Sequence, residues 1–578
     1  MVDISASLID AIGFPTCALS PEKTVRKKSS RKLTEWDISI LNPKNRIDCA
    51  KPYCNSELGW RIDGCADLGT RFFVIPTTLL PDLPPLRIDL LIPDQIEHSN
   101  ELRVAFESSI SATLTDSRVG KLGISHHLCH ILDHWSRSHP NFLTELRSLP
   151  FGSQLIIAEV TGSRYTPVLV NAAHDLERNL LSLNALAALW KNDILPLNFP
   201  PMLDLQELRL INQIQDTVSL VSIPSRDNNI FIFKSNVREP EYLYHELKVL
   251  LTLAPHQHLV SRPLFLVTKR CAFGGKVAVC GFILPYYLGG PLKDVLPSQT
   301  RKGTLNLATQ IKWAIQITEV LQHVYASESF YSDLRPENIV LHPCQTSGAY
   351  DESGSLNIVL IDFEQRGNWY AWSAPEVLYY DYLSYILSTL PTTKTTHYAL
   401  LFNTYFPSTN APPHSQGGSN RYRNPKEGYC YSWLRLTPKQ REAATVFALG
   451  KLLWCIFEGQ GSVCRNLRNA ARYEPTAEFP EFRMSVEKVR ELIWACTWDA
   501  PEWRGEKERV MRVGGRIEVL GKTAHEENVL HVAREWWMGE LRVMEEWLTK
   551  QDSGEKRSQR LTLKDVRDRL LDIKKDFH

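Results

Sequence analysis

No run of apolar residues in this chain approaches the roughly 18 that a membrane-crossing helix needs. A helical membrane span is therefore not expected. A surplus of charge is missing too: 66 lysines and arginines stand against 65 aspartates and glutamates, a formal net charge of +1. So balanced a chain has no general attraction for nucleic acid or an anionic membrane surface, and neither is expected as a partner. The 12 cysteines lack the paired spacing of a zinc site. Cys49 and Cys54 come nearest, with Cys65 beyond them, but no second pair follows. Buried or idle thiols are the expectation. Between Met1 and Ser20, Asp3 and Asp10 stand where a secretory signal would carry a basic start and then an apolar core. These absences together read as an intracellular protein, cytoplasmic or nuclear.

What is present is long and ordinary in composition. At 578 residues the chain exceeds one compact core and implies several units. Residues 1–35 end in Lys23, Arg26, Lys27, Lys28, Arg31 and Lys32 interleaved with serines, and read as a basic, disordered tail. Residues 36–200 form a mixed α/β region of unknown role. Strands are expected at 86–92 and 155–160, and helices over 126–136 and 174–190, from the period of the apolar residues. His126, His127, His130 and His134 crowd one stretch at spacings that could hold a metal. Without a carboxylate motif beside them they read as a polar helix face.

From Leu208 three short strands follow one another, the last ending in Lys234, and Glu246 comes twelve residues later in a helical phrase. Further strands are expected at 264–267 and 277–284, and a helix over 307–325. Then comes Tyr331-Ser332-Asp333-Leu334-Arg335-Pro336-Glu337-Asn338, leading into apolar Ile339-Val340-Leu341. A second apolar run, Ile358 to Ile361, delivers Asp362 at its end. A carboxylate, an amide and a second carboxylate so placed suit phosphoryl transfer. One carboxylate takes the proton of an attacking hydroxyl while the other two groups hold magnesium on phosphates.

This stretch resembles the catalytic loop and metal-binding aspartate of the eukaryotic protein kinases, H-R-D-x-x-x-x-N and D-F-G, and Ala374-Pro375-Glu376 falls where that family has A-P-E. The resemblance covers about 208–578, interrupted by insertions at about 380–437 and 505–558. It implies an α+β, bilobal fold: a small antiparallel-sheet lobe over 201–287 and a large helical lobe over 288–578, behind the mixed N-terminal region. Phe447 to Trp454 resembles the buried central helix of the large lobe. It further implies that Lys234 touches the α- and β-phosphates and that Glu246 aims it. Asp333 would receive the substrate hydroxyl, Arg335 would bind a phosphate oxygen, and Asn338 with Asp362 would hold magnesium. The backbone from Leu284 through Pro285 and Tyr286 to Tyr287 would bind adenine, and Glu376 would pair with Arg504 or Arg560. The implied cofactors are ATP and Mg2+, and the implied partners are that nucleotide and a protein carrying a serine or threonine hydroxyl.

The departures from the family matter as much. Where a glycine-rich loop belongs, Ile211 to Val218 has no glycine, which predicts weak nucleotide affinity. Tyr331 and Ser332 replace the H-R pair, so activation by loop phosphorylation is not expected. Glu364 replaces the D-F-G glycine, as in aminoglycoside phosphotransferase and choline kinase relatives, and Thr445 replaces the aspartate that braces the loop. Two other readings therefore stand beside the protein kinase: a pseudokinase serving as a nucleotide-binding or scaffold module, and a small-molecule kinase. Within the insertions, 407–418 reads as a mobile loop. The Trp536, Trp537 and Trp547 region reads as a helix that covers the core.

Overall fold

A computed structural model describes residues 15–19, 53–54, 57–66, 71–79, 84–85, 88–91, 124–139, 141–157, 164–172, 175–190, 198–215, 217–226, 229–236, 240–272, 274–343, 356–368, 370–406, 431–463, 477–504, 510–513, 516–519, 526–552 and 560–577. The fold is α+β, with sheets that are mostly antiparallel. The basic cluster at 23–32, Cys49 and the 407–418 stretch lie outside the described residues.

The first sheet runs in chain order: β1 (Tyr53–Cys54), β2 (Trp60–Ala66), β3 (Arg71–Pro76), β4 (Asp89–Leu91), β5 (Gln154–Ile157) and β6 (Val168–Asn171). Among the described strands of this sheet, β4 and β5 alone pair in parallel. Helix α1 (Ile124–Ser138) connects them and lays Leu128, Ile131, Leu132 and Trp135 on Trp60, Ile62, Phe72 and Leu90. The histidines of α1 form no metal-ligating group among the described residues, and His134 packs edge-on against Tyr165 at 4.7 Å. The expected single helix over 174–190 is broken into Asp175–Asn179 and α2 (Leu183–Trp190).

The second sheet has the order β7-β11-β12-β10-β9-β8. Its strands are β7 (Met202–Asp204), β8 (Arg209–Gln213), β9 (Val218–Ser222), β10 (Ile230–Ser235), β11 (Phe265–Arg270) and β12 (Val277–Pro285). The central pair β10–β12 is close because Gly281 has no side chain; a Cβ there would lie 2.4 Å from both Lys234 O and the Phe233 ring. Helix α3 (Pro240–Thr252) packs on this sheet with Leu243, Tyr244 and Leu247 buried.

After α4 (Leu292–Lys302) and α5 (Leu307–Ala326), a hairpin of β13 (Ile339–Pro343) and β14 (Leu356–Leu360) brings residues 331–338 beside residues 361–368. Helices α6 (Pro375–Thr389), α7 (Thr392–Tyr405), α8 (Pro438–Phe457) and α9 (Glu487–Thr497) follow, then α10 (Glu526–Asp552) and α11 (Leu563–Asp576). The start of α8 carries a capping box, in which Thr437 and Gln440 satisfy each other's backbone N–H groups. From Ala444 to Phe457 it is buried on every side. The two insertions meet: Trp547 of α10 packs on Tyr379 of α6 at 5.3 Å and on Tyr405 of α7 at 5.5 Å, and Trp537 on Tyr382 at 5.0 Å. The tryptophan-bearing helix thus covers the core. Thr16–Leu19, inside the tail expected to lack structure, forms a short helix against α10.

Candidate active site

Lys234 lies near the end of β10, paired across to Phe282 of β12 and Val218 of β9, so its side chain leaves from the middle of the second sheet. It is buried, and its Nζ lies 2.6 Å from Glu246 Oε2, 2.6 Å from Asp362 Oδ1 and 3.4 Å from Glu364 Oε1. Burial opposes the ammonium charge, but Asp362, Glu246 and Glu364 together hold it protonated, above the ordinary lysine range. Burial lifts the Glu246 carboxyl to about 7 against the pull of Lys234. The same lysine keeps Asp362 ionised despite burial, below the usual carboxylate range. Glu246 also accepts the Phe363 N–H at 2.9 Å, which ties α3 to the residue after Asp362.

Asp362 sits at φ 67°, a left-handed conformation unusual for a residue other than glycine. Strain of this kind persists only where surrounding contacts hold it. Here they do. Tyr331 Oη donates to Ile361 O at 2.5 Å, Ile361 N donates to Asn338 O at 3.0 Å, and the rings of Tyr331 and Phe363 meet at 5.0 Å. Ser332 Oγ accepts the Gly367 N–H at 3.2 Å, and Asn368 Nδ2 donates to Leu334 O at 3.0 Å. Thr445, meanwhile, donates to Arg441 O within its own helix. Bonds to 361–368 thus hold residues 331–334 in place.

Within that frame Asn338 Nδ2 donates to Asp333 O at 2.8 Å and to Asp333 Oδ2 at 2.9 Å. Arg335 Nη2 lies 3.1 Å from the same oxygen. The other carboxylate oxygen, Asp333 Oδ1, is buried without a hydrogen-bond partner. Burial raises the Asp333 pKa to about 7, with Arg335 pulling it down. A carboxylate near half ionisation at neutral pH, with one oxygen not yet hydrogen-bonded, can accept a proton from a donor brought to it.

One oxygen each from Glu246, Asp362 and Glu364 lies within 4.8 Å of the others, the one such metal-capable group among the described residues. All three are already paired, Glu246 with Lys234 and the Phe363 N–H, Asp362 Oδ1 with Lys234 at 2.6 Å and Glu364 Oε2 with Arg366 at 2.6 Å, so a cation here would share or displace those partners. These are hard oxygen donors of the kind magnesium takes, but they do not select it over other hard cations.

The expected adenine-binding backbone, Leu284 to Tyr287, leaves the sheet at the end of β12. Pro285 has no N–H, so it offers only its carbonyl, and the donors there are the N–H groups of Tyr286 and Tyr287. Gly289 then passes so close to β13 that a Cβ would lie 2.5 Å from Leu341 O. The glycine-free stretch between β8 and β9 is a closed turn. The N–H groups of Ile214 and Gln215 both go to Val218 O, at 2.9 and 3.1 Å, so neither is offered to a phosphate.

Glu376 is paired with Arg560 rather than Arg504. Arg560 Nη1 lies 2.6 Å from Glu376 Oε1, and its other nitrogens bond Asp499. Sequence reading missed the bonds of Tyr331 and Ser332 to 361–367 and a contact from Arg61 and Asp63 of β2 to β8. The alternation of Trp60-Arg61-Ile62-Asp63 was the one available signal of the second. Compared with family models and with curated proteins, the chain matches none.

Proposed function

We propose that this chain is a phosphotransferase of the protein-kinase type, with a small sheet-bearing lobe over a larger helical one, which transfers the γ-phosphate of ATP to a serine or threonine hydroxyl of a protein. The observation that carries this reading is the meeting of Lys234, Glu246 and Asp362 from three separate elements at 2.6 Å, with Asp333 and Asn338 held on the adjoining loop. ATP with magnesium, when bound, supplies the electrophilic phosphorus and the leaving group. Lys234 would neutralise phosphate oxygens, and Glu246 fixes its direction. Asp362 and Asn338, joined by Glu364, would hold the cation. Asp333 would orient the acceptor hydroxyl and take its proton on Oδ1, while Arg335 holds the opposite oxygen.

One observation favours a second reading, a nucleotide-binding module without turnover. The turn between β8 and β9 gives up the Ile214 and Gln215 N–H groups to Val218, so phosphate contacts would fall to Lys234 and the cation. Titration of ATP into the full chain with and without magnesium, followed by radiolabelled transfer to generic protein substrates, separates the two. The kinase predicts magnesium-dependent binding and transfer that Asp333→Asn lowers by about 10²-fold or more while ATP affinity stays within a few-fold. Wild-type transfer rates in Asp333→Asn would remove the assignment. Lys234→Met is the poorer probe, because it also strands the buried Glu246 carboxylate.

A further inference from the structure

The first sheet reaches the β8–β9 hairpin, whose Val218 pairs with Lys234, at two adjacent β-bulges. In β2 the register against β3 shifts between Ile62 and Gly64, leaving Asp63 as the extra residue. In β8 the register against β9 shifts between Leu210 and Asn212, leaving Ile211 as the extra residue. Bulges re-aim a side chain or a carbonyl at the cost of ladder pairing, and they gather beside active sites. Here the carboxylate of Asp63 accepts the Gln213 N–H at 2.7 Å, and Arg61 Nη2 donates to Ile211 O at 3.2 Å. Arg61 and Asp63 are themselves joined at 2.6 Å, with Asp63 almost fully buried. β8 is the edge strand of the second sheet, so these bonds occupy backbone groups that no strand satisfies. From Gln213 the hold continues inward. Its side chain donates to Gln215 O at 2.5 Å and accepts from Ser219 Oγ at 2.8 Å, spanning the turn.

We infer that Asp63 is a positioning residue for the nucleotide: it clamps β8 from outside and so sets the shape of the glycine-free turn over the phosphates. The inference rests on the function proposed above. A glycine-rich loop adapts its backbone to phosphate, whereas a turn with a side chain at every position is less free to do so. Such a turn must be held ready before the ligand arrives, because rigidity established in advance lowers the cost of binding. The first sheet provides that hold.

The test uses the full chain and its Asp63→Ala, Asp63→Asn and Arg61→Met variants. Hydrogen exchange of the nucleotide-free protein is expected to quicken over 209–222 in Asp63→Ala while 277–285 is unchanged. ATP–magnesium affinity is expected to weaken about tenfold, with the nucleotide KM raised and kcat retained. Asp63→Asn keeps an acceptor for the Gln213 N–H and is expected to recover most of the loss. Arg61→Met, which leaves that acceptor and releases Ile211 O, should fall between. Faster exchange with unchanged or tighter ATP binding in Asp63→Ala would overturn the positioning role, as would unchanged exchange. Absence of ATP binding in the wild-type chain would instead remove the proposed function, and the inference with it.

Discussion

At the scale of the residue, the site is a problem of charge kept out of water, and the groups beside it are tuned by burial. His245, next to Glu246 on α3, is fully buried, and burial together with Lys248 pushes its imidazole down to about 3. Its folded pKa lies below the unfolded value of about 6.5. The unfolded chain therefore binds the proton first, and stability is lost as pH falls through 6.5, at up to about 1.4 kcal/mol per pH unit, until the folded form protonates too near 3. His245→Leu abolishes that proton uptake. Urea unfolding at pH 7.5 and pH 5 should show the wild type losing ground to the variant at the lower pH; a constant difference would mean that His245 charges in the folded state.

At the scale of the element, Arg560 ties the start of α11 to three other helices. It precedes α11, binds Glu376 in the first turn of α6 and Asp499 beyond α9, and donates to Ala443 O of α8 at 3.0 Å. Removing one partner of a buried ion network leaves the others uncompensated, at about 3–5 kcal/mol. Arg560→Met should lower stability by that much, and Arg504→Met, at an exposed position, by under about 1 kcal/mol. Chemical denaturation of the pair checks it, and equal effects would transfer the structural role to Arg504. The sequence left this choice open because both arginines flank the second insertion, and spacing cannot decide between them. The strands β8 to β12 and the helix α5 were legible because each carries a strong period or apolar run bounded by turns, whereas α8 was read from its resemblance to a family helix. Of the first sheet, the strands expected at 86–92 and 155–160 are present as β4 and β5, but the rest of it was not legible. Its strands are as short as two residues, and β4 pairs with β5 in parallel from far along the chain. The bonds from β2 to β8 span 150 residues, and the alternation around Arg61 and Asp63 does not say which strand they reach. Lys234, Glu246, Asp333, Asn338 and Asp362 could be picked out because their order along the chain carries information. The holding roles of Tyr331 and Ser332 could not, since those residues read only as departures.

At the scale of the whole molecule, the cores do not divide at residue 200. Phe151, Leu180, Leu186 and Trp190 belong to the large core that runs through the second sheet and the helices, not to the core of the first sheet. Polar contacts follow the same line. Glu177 binds Lys269 and the Ala272 N–H, Leu181 N donates to Tyr244 Oη, and Val279 N donates to Leu181 O. A chain beginning at 201 would lose those four apolar side chains, about 1.5–3 kcal/mol each and roughly 6–12 kcal/mol together. That approaches the 5–15 kcal/mol by which a typical domain is stable. A chain beginning at 174 keeps three of the four and all of these polar contacts, and loses the first sheet. We therefore expect residues 201–578 to give no cooperative thermal transition, while residues 174–578 fold with one. If the two truncations melted alike, residues 175–190 would contribute surface contact rather than core. If 174–578 also failed, the first sheet would be required for folding as well as for holding β8.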